Sequence, residues 1–319
     1  MDTTNYAMKR LHASCLEKGP LCIGLDTDPS YLPKKIVSSY KTPADAVLAY
    51  NKTLIEATIS HAACYKVQIA YYEAMGLEGM RVYSETLKAV KDAGVPVIAD
   101  IKRGDIADTA HAYARAHFSG DFEADIVTIN PYMGFDTLEP FLEYIEKFQK
   151  GIFVLLRTSN PGMKDIEWLR VADNDKRVFT TIGDALSDMG QRFDGPGDHP
   201  CSSIGAVVGC TEEIDARIIR DRYPDMFFLI PGYGAQGGAP RIAATLLDHA
   251  GGTVNSSRGI LLAWKKDAQC IEDDKCNALS LNQMTLAAQR AAEKAKNELM
   301  LAKKELSSTS VPQKEVTDV

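Results

Sequence analysis

Eight short apolar bursts recur along the 319-residue chain, and helix-like segments separate them. The bursts fall at 21–25, 64–70, 97–101, 125–130, 152–156, 204–208, 227–230 and 253–255. Between and after them, apolar residues at helical spacing predict helices over 43–60, 78–93, 105–117, 137–148, 177–192, 212–220, 239–249 and 281–305. Strict alternation of this kind demands a parallel sheet, because each return to the same sheet edge needs a crossover helix. Eight repeats predict a closed (β/α)8 TIM barrel. An open Rossmann-like sheet is the other arrangement considered, and the absence of G-x-G-x-x-G after the first strand weakens it. The expected organisation is one catalytic barrel over 1–305, interrupted by a polar insertion at about 160–203. The polar, aperiodic residues 306–319 are expected to form a disordered tail.

Composition removes several classes of function. Hydrophobic and charged contents of 45% and 25% are those of an ordinary globular protein. With a net charge of −7 and dispersed basic residues, nucleic acid is not an expected partner. No apolar run reaches transmembrane length, so no membrane association is expected. Seven cysteines without a C-x-x-C pair, and no signal-like N-terminus, point to reduced thiols in a cytoplasmic protein.

In a barrel the reactive face lies at the carboxyl ends of the strands. Those ends carry Asp26, Asp100 with Lys102, Asn130, Thr158 with Ser159, Pro231 with Gly232, and Ser257 with Arg258. Asp100 and Lys102 are two apart, so a strand that persists through them sends both side chains to one face. Lys66 sits inside its strand, where an ammonium needs a carboxylate partner or a chemical task. Taken singly, Asp26 reads as a helix cap, Asn130 as a turn former and Asp100 with Lys102 as a terminal salt bridge. Their convergence on one rim is what turns them into a candidate site.

The last two strands add a second signal. Pro231-Gly-Tyr-Gly-Ala-Gln236-Gly-Gly enters a helix, and Asn255-Ser-Ser-Arg258-Gly closes the next strand. Barrels commonly hold phosphate with these two loops through backbone N–H groups at a helix start, and Arg258 adds a bidentate cation. Other constellations are weaker. His111 and His117, six apart, do not share a helix face, so no metal site is expected. Trp264 reads as packing, and the charges from Lys294 to Lys304 read as a solvated helix face.

These segments together resemble the orotidine 5′-phosphate decarboxylase family. The similarity rests on Asp100-Ile-Lys102-Arg-Gly-Asp105-Ile106, an Asp-x-Lys-x-x-Asp signature. Cys22-Ile-Gly-Leu-Asp26, Tyr65-Lys66-Val-Gln-Ile-Ala-Tyr-Tyr-Glu73 and the two loops above extend it to about residue 264. The wording of these segments resembles the longer bacterial branch of the family. The resemblance implies decarboxylation of orotidine 5′-phosphate to uridine 5′-phosphate without metal or organic cofactor, in a homodimer with shared active sites. It implies that Lys102 protonates C6 and that Asp100 faces the substrate carboxylate. Lys66 and Asp26 would hold ribose hydroxyls. Asp105, Ile106 and Thr109 would reach the partner subunit's site. Ser159 would meet the pyrimidine, Pro231 would line the pocket, and Gln236 with Arg258 would grip the phosphate. Two other functions remain open at this level. The signature alone is shared with metal-dependent sugar-phosphate decarboxylases and aldolases, and the fold could also serve a non-catalytic phosphate-ligand binder.

Overall fold

The computed structural model describes residues 6–193, 201–233, 240–276 and 278–308. Within them eight parallel strands close into a barrel in sequence order, the first pairing with the eighth through Cys22 and Asn255. The strands are β1 (Leu21–Gly24), β2 (Cys64–Gln68), β3 (Val97–Arg103), β4 (Ile126–Ile129), β5 (Gly151–Arg157), β6 (Ile204–Val208), β7 (Phe228–Ile230) and β8 (Gly252–Ser256). The first half of the chain supplies α1 (Ala7–Lys18), α2 (Lys34–Ser38), α3 (Pro43–Thr58), α4 (Ile69–Glu73), α5 (Gly76–Asp92), α6 (Ala107–Phe118) and α7 (Glu139–Phe148). The second supplies α8 (Val178–Gly190), α9 (Glu213–Arg222), α10 (Pro240–Leu246), α11 (Arg258–Leu261), α12 (Ala268–Lys275) and α13 (Leu281–Ser308). None of these helices is long and apolar enough to cross a membrane.

Two apolar layers follow from the period of two along each strand. Ile23, Val67, Val97, Ala99, Val127, Ile152 and Val154 face outward and pack under the helices. Cys22, Cys64, Ile98, Ile126, Phe153, Val207, Phe227 and Leu229 face inward and fill the lower barrel. Helix α1 seats Met8 and Leu11 against this inner cluster. It is tied there by Ala7 N–H to the Gln149 carbonyl at 2.8 Å, and by Arg10 to Asp125 at 2.5 Å. Its polar sequence gives little sign of this task, since only three of its residues are buried.

Several boundaries differ from the sequence expectation. The second strand stops at Gln68, not at residue 70, because the Gln68 side chain accepts the Ala70 N–H and starts α4. Helix α6 begins at Ala107 rather than residue 105. Ala107 takes a positive φ of 45°, and the Asp105 carboxylate accepts the Ile106 N–H at 2.8 Å, so these residues form a corner. The insertion carries α8, preceded by an antiparallel bridge between Arg170 and Arg177. The last helix runs through Ser308, so residues 306–308 are helical. The remainder of the expected tail, 309–319, lies outside the described residues.

Candidate active site

The inward-facing positions change character in one step toward the carboxyl end of the barrel. Cys64, Ile98 and Ile126 are apolar, and two residues on in the same phase stand Lys66, Asp100 and Thr128. Parallel register sets Gln68 beside Asp100, while Lys66 pairs with Ile98 one step below. The outcome is an alternating chain of charge across the mouth. Lys66 Nζ lies 3.2 Å from Asp26 Oδ1 and 2.8 Å from Asp100 Oδ2, and Lys102 Nζ lies 2.5 Å from Asp100 Oδ1. Gln68 Nε2 donates to Asp100 Oδ2 at 3.0 Å, and Thr128 Oγ1 donates to Asp100 Oδ1 at 2.8 Å. Four side chains therefore converge on one carboxylate that is only 4% exposed.

Burial alone would drive Asp100 toward its neutral acid. The Lys66 and Lys102 ammonium groups outweigh it and hold the carboxyl well below the usual carboxylate range. Burial would likewise favour the neutral amine of Lys66, but Asp100 and then Asp26 outweigh it and raise that group far above an ordinary lysine. Lys102 differs from Lys66 in being open, with 43% of its side chain exposed toward the mouth. Its backbone sits at φ 46°, a left-handed conformation rare for a side chain of this size, and its N–H is held by Thr128 Oγ1 at 3.0 Å. The strand does persist through Lys102, with an irregular register against β4 between Ala99 and Arg103.

Asp26 is fixed from behind. Tyr72 OH donates to the Leu25 carbonyl at 3.0 Å, and Thr27 Oγ1 donates to Asn51 Oδ1 at 2.7 Å. The Asn51 amide completes the set on Tyr72 OH at 2.9 Å and Thr86 Oγ1 at 3.3 Å. All four side chains are fully buried, so this satisfied network locks both neighbours of Asp26 to the helix layer.

The remaining expected residues lie at several stations around the rim. Ser159 and Pro231 stand on either side of Gly209, where an added Cβ would come within 3.0 Å of Ser159 Cβ and 3.2 Å of Pro231 Cγ. A larger residue at Gly209 would require Ser159 or Pro231 to shift by a few tenths of an ångström. Arg258 is the exposed first residue of α11 and lies near Tyr31. Burial and Tyr71 push the Tyr31 phenol up to about 12, with Arg258 pulling the other way. Asp105, Ile106 and Thr109 are not drawn into the charged chain: Asp105 bonds the Ile106 N–H, Ile106 is 53% exposed and Thr109 is exposed. Gln236 lies outside the described residues. Sequence reasoning missed Gln68 and Thr128. Both share the inward phase of Lys66 and Asp100, which was the available signal.

A closed parallel barrel with an ammonium–carboxylate chain at its carboxyl mouth has the architecture of a (β/α)8-barrel enzyme. Residues 19–270 match the model of the orotidine 5′-phosphate decarboxylase / HUMPS family, to which the chain belongs. It is 53% identical over 258 residues to an orotidine 5′-phosphate decarboxylase of Clostridium botulinum, covering 81% of this chain and 89% of that protein. The corresponding figures for the Clostridium acetobutylicum protein of the same name are 52% over 259 residues, 81% and 90%. Among solved structures, the OMP decarboxylase of Leishmania donovani superposes with a TM-score of 0.68 at 31% identity, covering 94% of this chain and 99% of that one.

Proposed function

We propose that the chain decarboxylates orotidine 5′-phosphate to uridine 5′-phosphate, with Lys102 as the proton donor. The observation that carries this reading is the chain Asp26–Lys66–Asp100–Lys102, in which one ammonium is buried and the terminal one is open. Breaking the bond from C6 to the carboxylate releases carbon dioxide and leaves the electron pair on C6. The Lys102 ammonium first faces that charge and then transfers a proton to it, regaining one from solvent. At ~3 Å and an effective dielectric of ~20, such a contact contributes about 5 kcal/mol before desolvation. Enzymes lower barriers by roughly 8–23 kcal/mol, so Lys102 needs help. Asp100 is assigned to face the substrate carboxylate, with its charge maintained by four side-chain donors.

Lys66 and Asp26 are assigned to ribose hydroxyls, Ser159 to the pyrimidine and Pro231 to the pocket wall. Gln236 and Arg258 are assigned to the phosphate. Binding energy from that remote end orients the reacting carbon and raises the rate without touching it. The reading asks for no metal or organic cofactor. Supporting it, the Lys66 ammonium already fills the space between Asp26 and Asp100 that a bridging cation would need. Asp105, Ile106 and Thr109 are assigned to the partner subunit's site in a homodimer. Exposed Ile106, with Tyr132 and Met133 on the loop after β4, favours that assembly. The reading further places the protein in the cytoplasm.

Loss of orotidylate absorbance, followed with and without EDTA, tests the assignment. The wild type should turn over equally in both, and Lys102→Ala should lose turnover by orders of magnitude while still binding uridine 5′-phosphate. Undiminished decarboxylation by Lys102→Ala, or activity abolished by EDTA and restored by magnesium, would overturn it.

A further inference from the structure

A cavity of about 360 Å³ opens on the flank of the barrel, between the segment joining β5 to β6 and helix α9. None of the residues assigned to the decarboxylation lines it. Its walls carry Arg157, Arg170, Lys176, Arg177 and Arg222, against the carboxylates of Asp175 and Asp215. Asp184 lies behind, paired with Lys176 at 2.9 Å and Arg222 at 2.8 Å. Arg170 is paired with Asp175 at 2.7 Å. Five cations thus meet three carboxylates.

The incompletely matched charges can be located: Lys176 and Arg222 share Asp184, and among the described residues neither Arg157 nor Arg177 has a hydrogen-bonded carboxylate. Arg157 is a fully buried guanidinium whose ion-pair partner, Asp215, is 3.6 Å away, beyond hydrogen-bond distance. Its other contacts are the Thr158 and Gly209 carbonyls. Arg177 has no carboxylate within ion-pair distance among the described residues. It donates to the Trp168 carbonyl at 3.2 Å and lies over the Trp168 ring, 4.7 Å from its centroid. Arg157 approaches the same ring at 5.7 Å. A buried cation without a full counter-charge is costly, and an incoming anion relieves that cost. Guanidinium forks match the oxygens of phosphate and carboxylate, two cations beyond the local carboxylates suit the higher charge of phosphate, and the volume admits a small metabolite.

We propose that this cavity is a second ligand site for a phosphate-bearing small anion of at least two charges, with Arg157 and Arg177 as its principal contacts. The site is independent of the reading of the barrel mouth. Arg177 and Arg157 both lie over the Trp168 ring, so an anion bound at their guanidinium edges changes the surroundings of the indole and Trp168 reports it.

The test is titration of inorganic pyrophosphate in chelator-containing buffer, followed by tryptophan emission and by calorimetry. A saturable change in emission is expected, with the same affinity in the wild type and in Arg258→Ala, which lacks the phosphate-gripping arginine assigned to the barrel mouth. Trp168→Phe should lose the optical signal and keep the calorimetric one. Half-exposed Arg177→Ala should bind about tenfold more weakly or worse, with Arg177→Lys in between. The proposal fails if millimolar pyrophosphate gives no saturable response, if Arg258→Ala abolishes that response, or if Arg177→Ala binds as tightly as the wild type.

Discussion

Replacing Thr128 by valine keeps the shape of a fully buried side chain and deletes one hydroxyl. That hydroxyl donates to Asp100 Oδ1 at 2.8 Å and accepts the Lys102 N–H at 3.0 Å. A hydrogen bond to a charged group contributes about 1.5–3 kcal/mol, and stranding a buried N–H costs about 1–3 kcal/mol. The second loss falls on Lys102, whose left-handed backbone, itself worth roughly 1–3 kcal/mol of strain, persists only while its surroundings hold it. A total of about 2.5–6 kcal/mol is expected. At about 2.1 cal/mol/K of unfolding entropy per residue, that lowers the melting temperature by roughly 4–9 °C. Relaxation of Lys102 by ~1 Å would cost about 100-fold in turnover. Steady-state kinetics on orotidylate should therefore show kcat of Thr128→Val down by about two orders of magnitude with little change in KM. Thr128→Ser, which restores the hydroxyl, should recover most of the loss. A valine variant that melts lower yet keeps kcat within about twofold would falsify the claim that Thr128 positions Lys102.

Three further outcomes are expected. Arg258→Ala should weaken binding of uridine 5′-phosphate by about 1.5–3 kcal/mol, the worth of a charged hydrogen bond, while leaving uridine unaffected; calorimetry with both ligands checks it, and an equal effect on the nucleoside refutes the phosphate assignment. Burial, aided by Arg103, lowers the buried His117 to about 4, so the fold holds it neutral while the unfolded chain protonates it near 6.5. Its contribution is complete above pH 6.5 and lost as pH falls toward 4, about 3 kcal/mol in all, and urea titrations of His117→Leu should show a flatter acid slope. Ile106→Asp puts a charge on the exposed apolar corner after β3 and should shift a dimer toward monomer in sedimentation at micromolar concentration; an unchanged state would place the interface elsewhere.

Much of the fold is legible in the chain. Strand β6 runs over the expected 204–208, and α3, α5, α6 and α7 lie within a few residues of their periodic segments, whereas the short α2 and α4 were not expected. The errors concentrate where side chains, rather than periodicity, end an element, as when Gln68 caps α4 or Asp105 delays α6. Helix α1 escaped notice because three buried residues seat it, too few to make a pattern.

The same division runs through the site. Alternation along β3 is a property of the chain alone, so Asp100 and Lys102 could be put on one face from their spacing. Lys66, inside an apolar strand, announced a need for a partner. Which partner, and at what distance, depends on how β2, β3 and β4 slide past one another. Closure of the barrel sets that register, through contacts between residues far apart in the chain. It places Gln68 and Thr128 on Asp100 and leaves Lys102 in a left-handed corner, and no local pattern encodes those contacts. Periodicity is carried by each strand separately, whereas hydrogen-bond partners across strands exist only once all eight have closed.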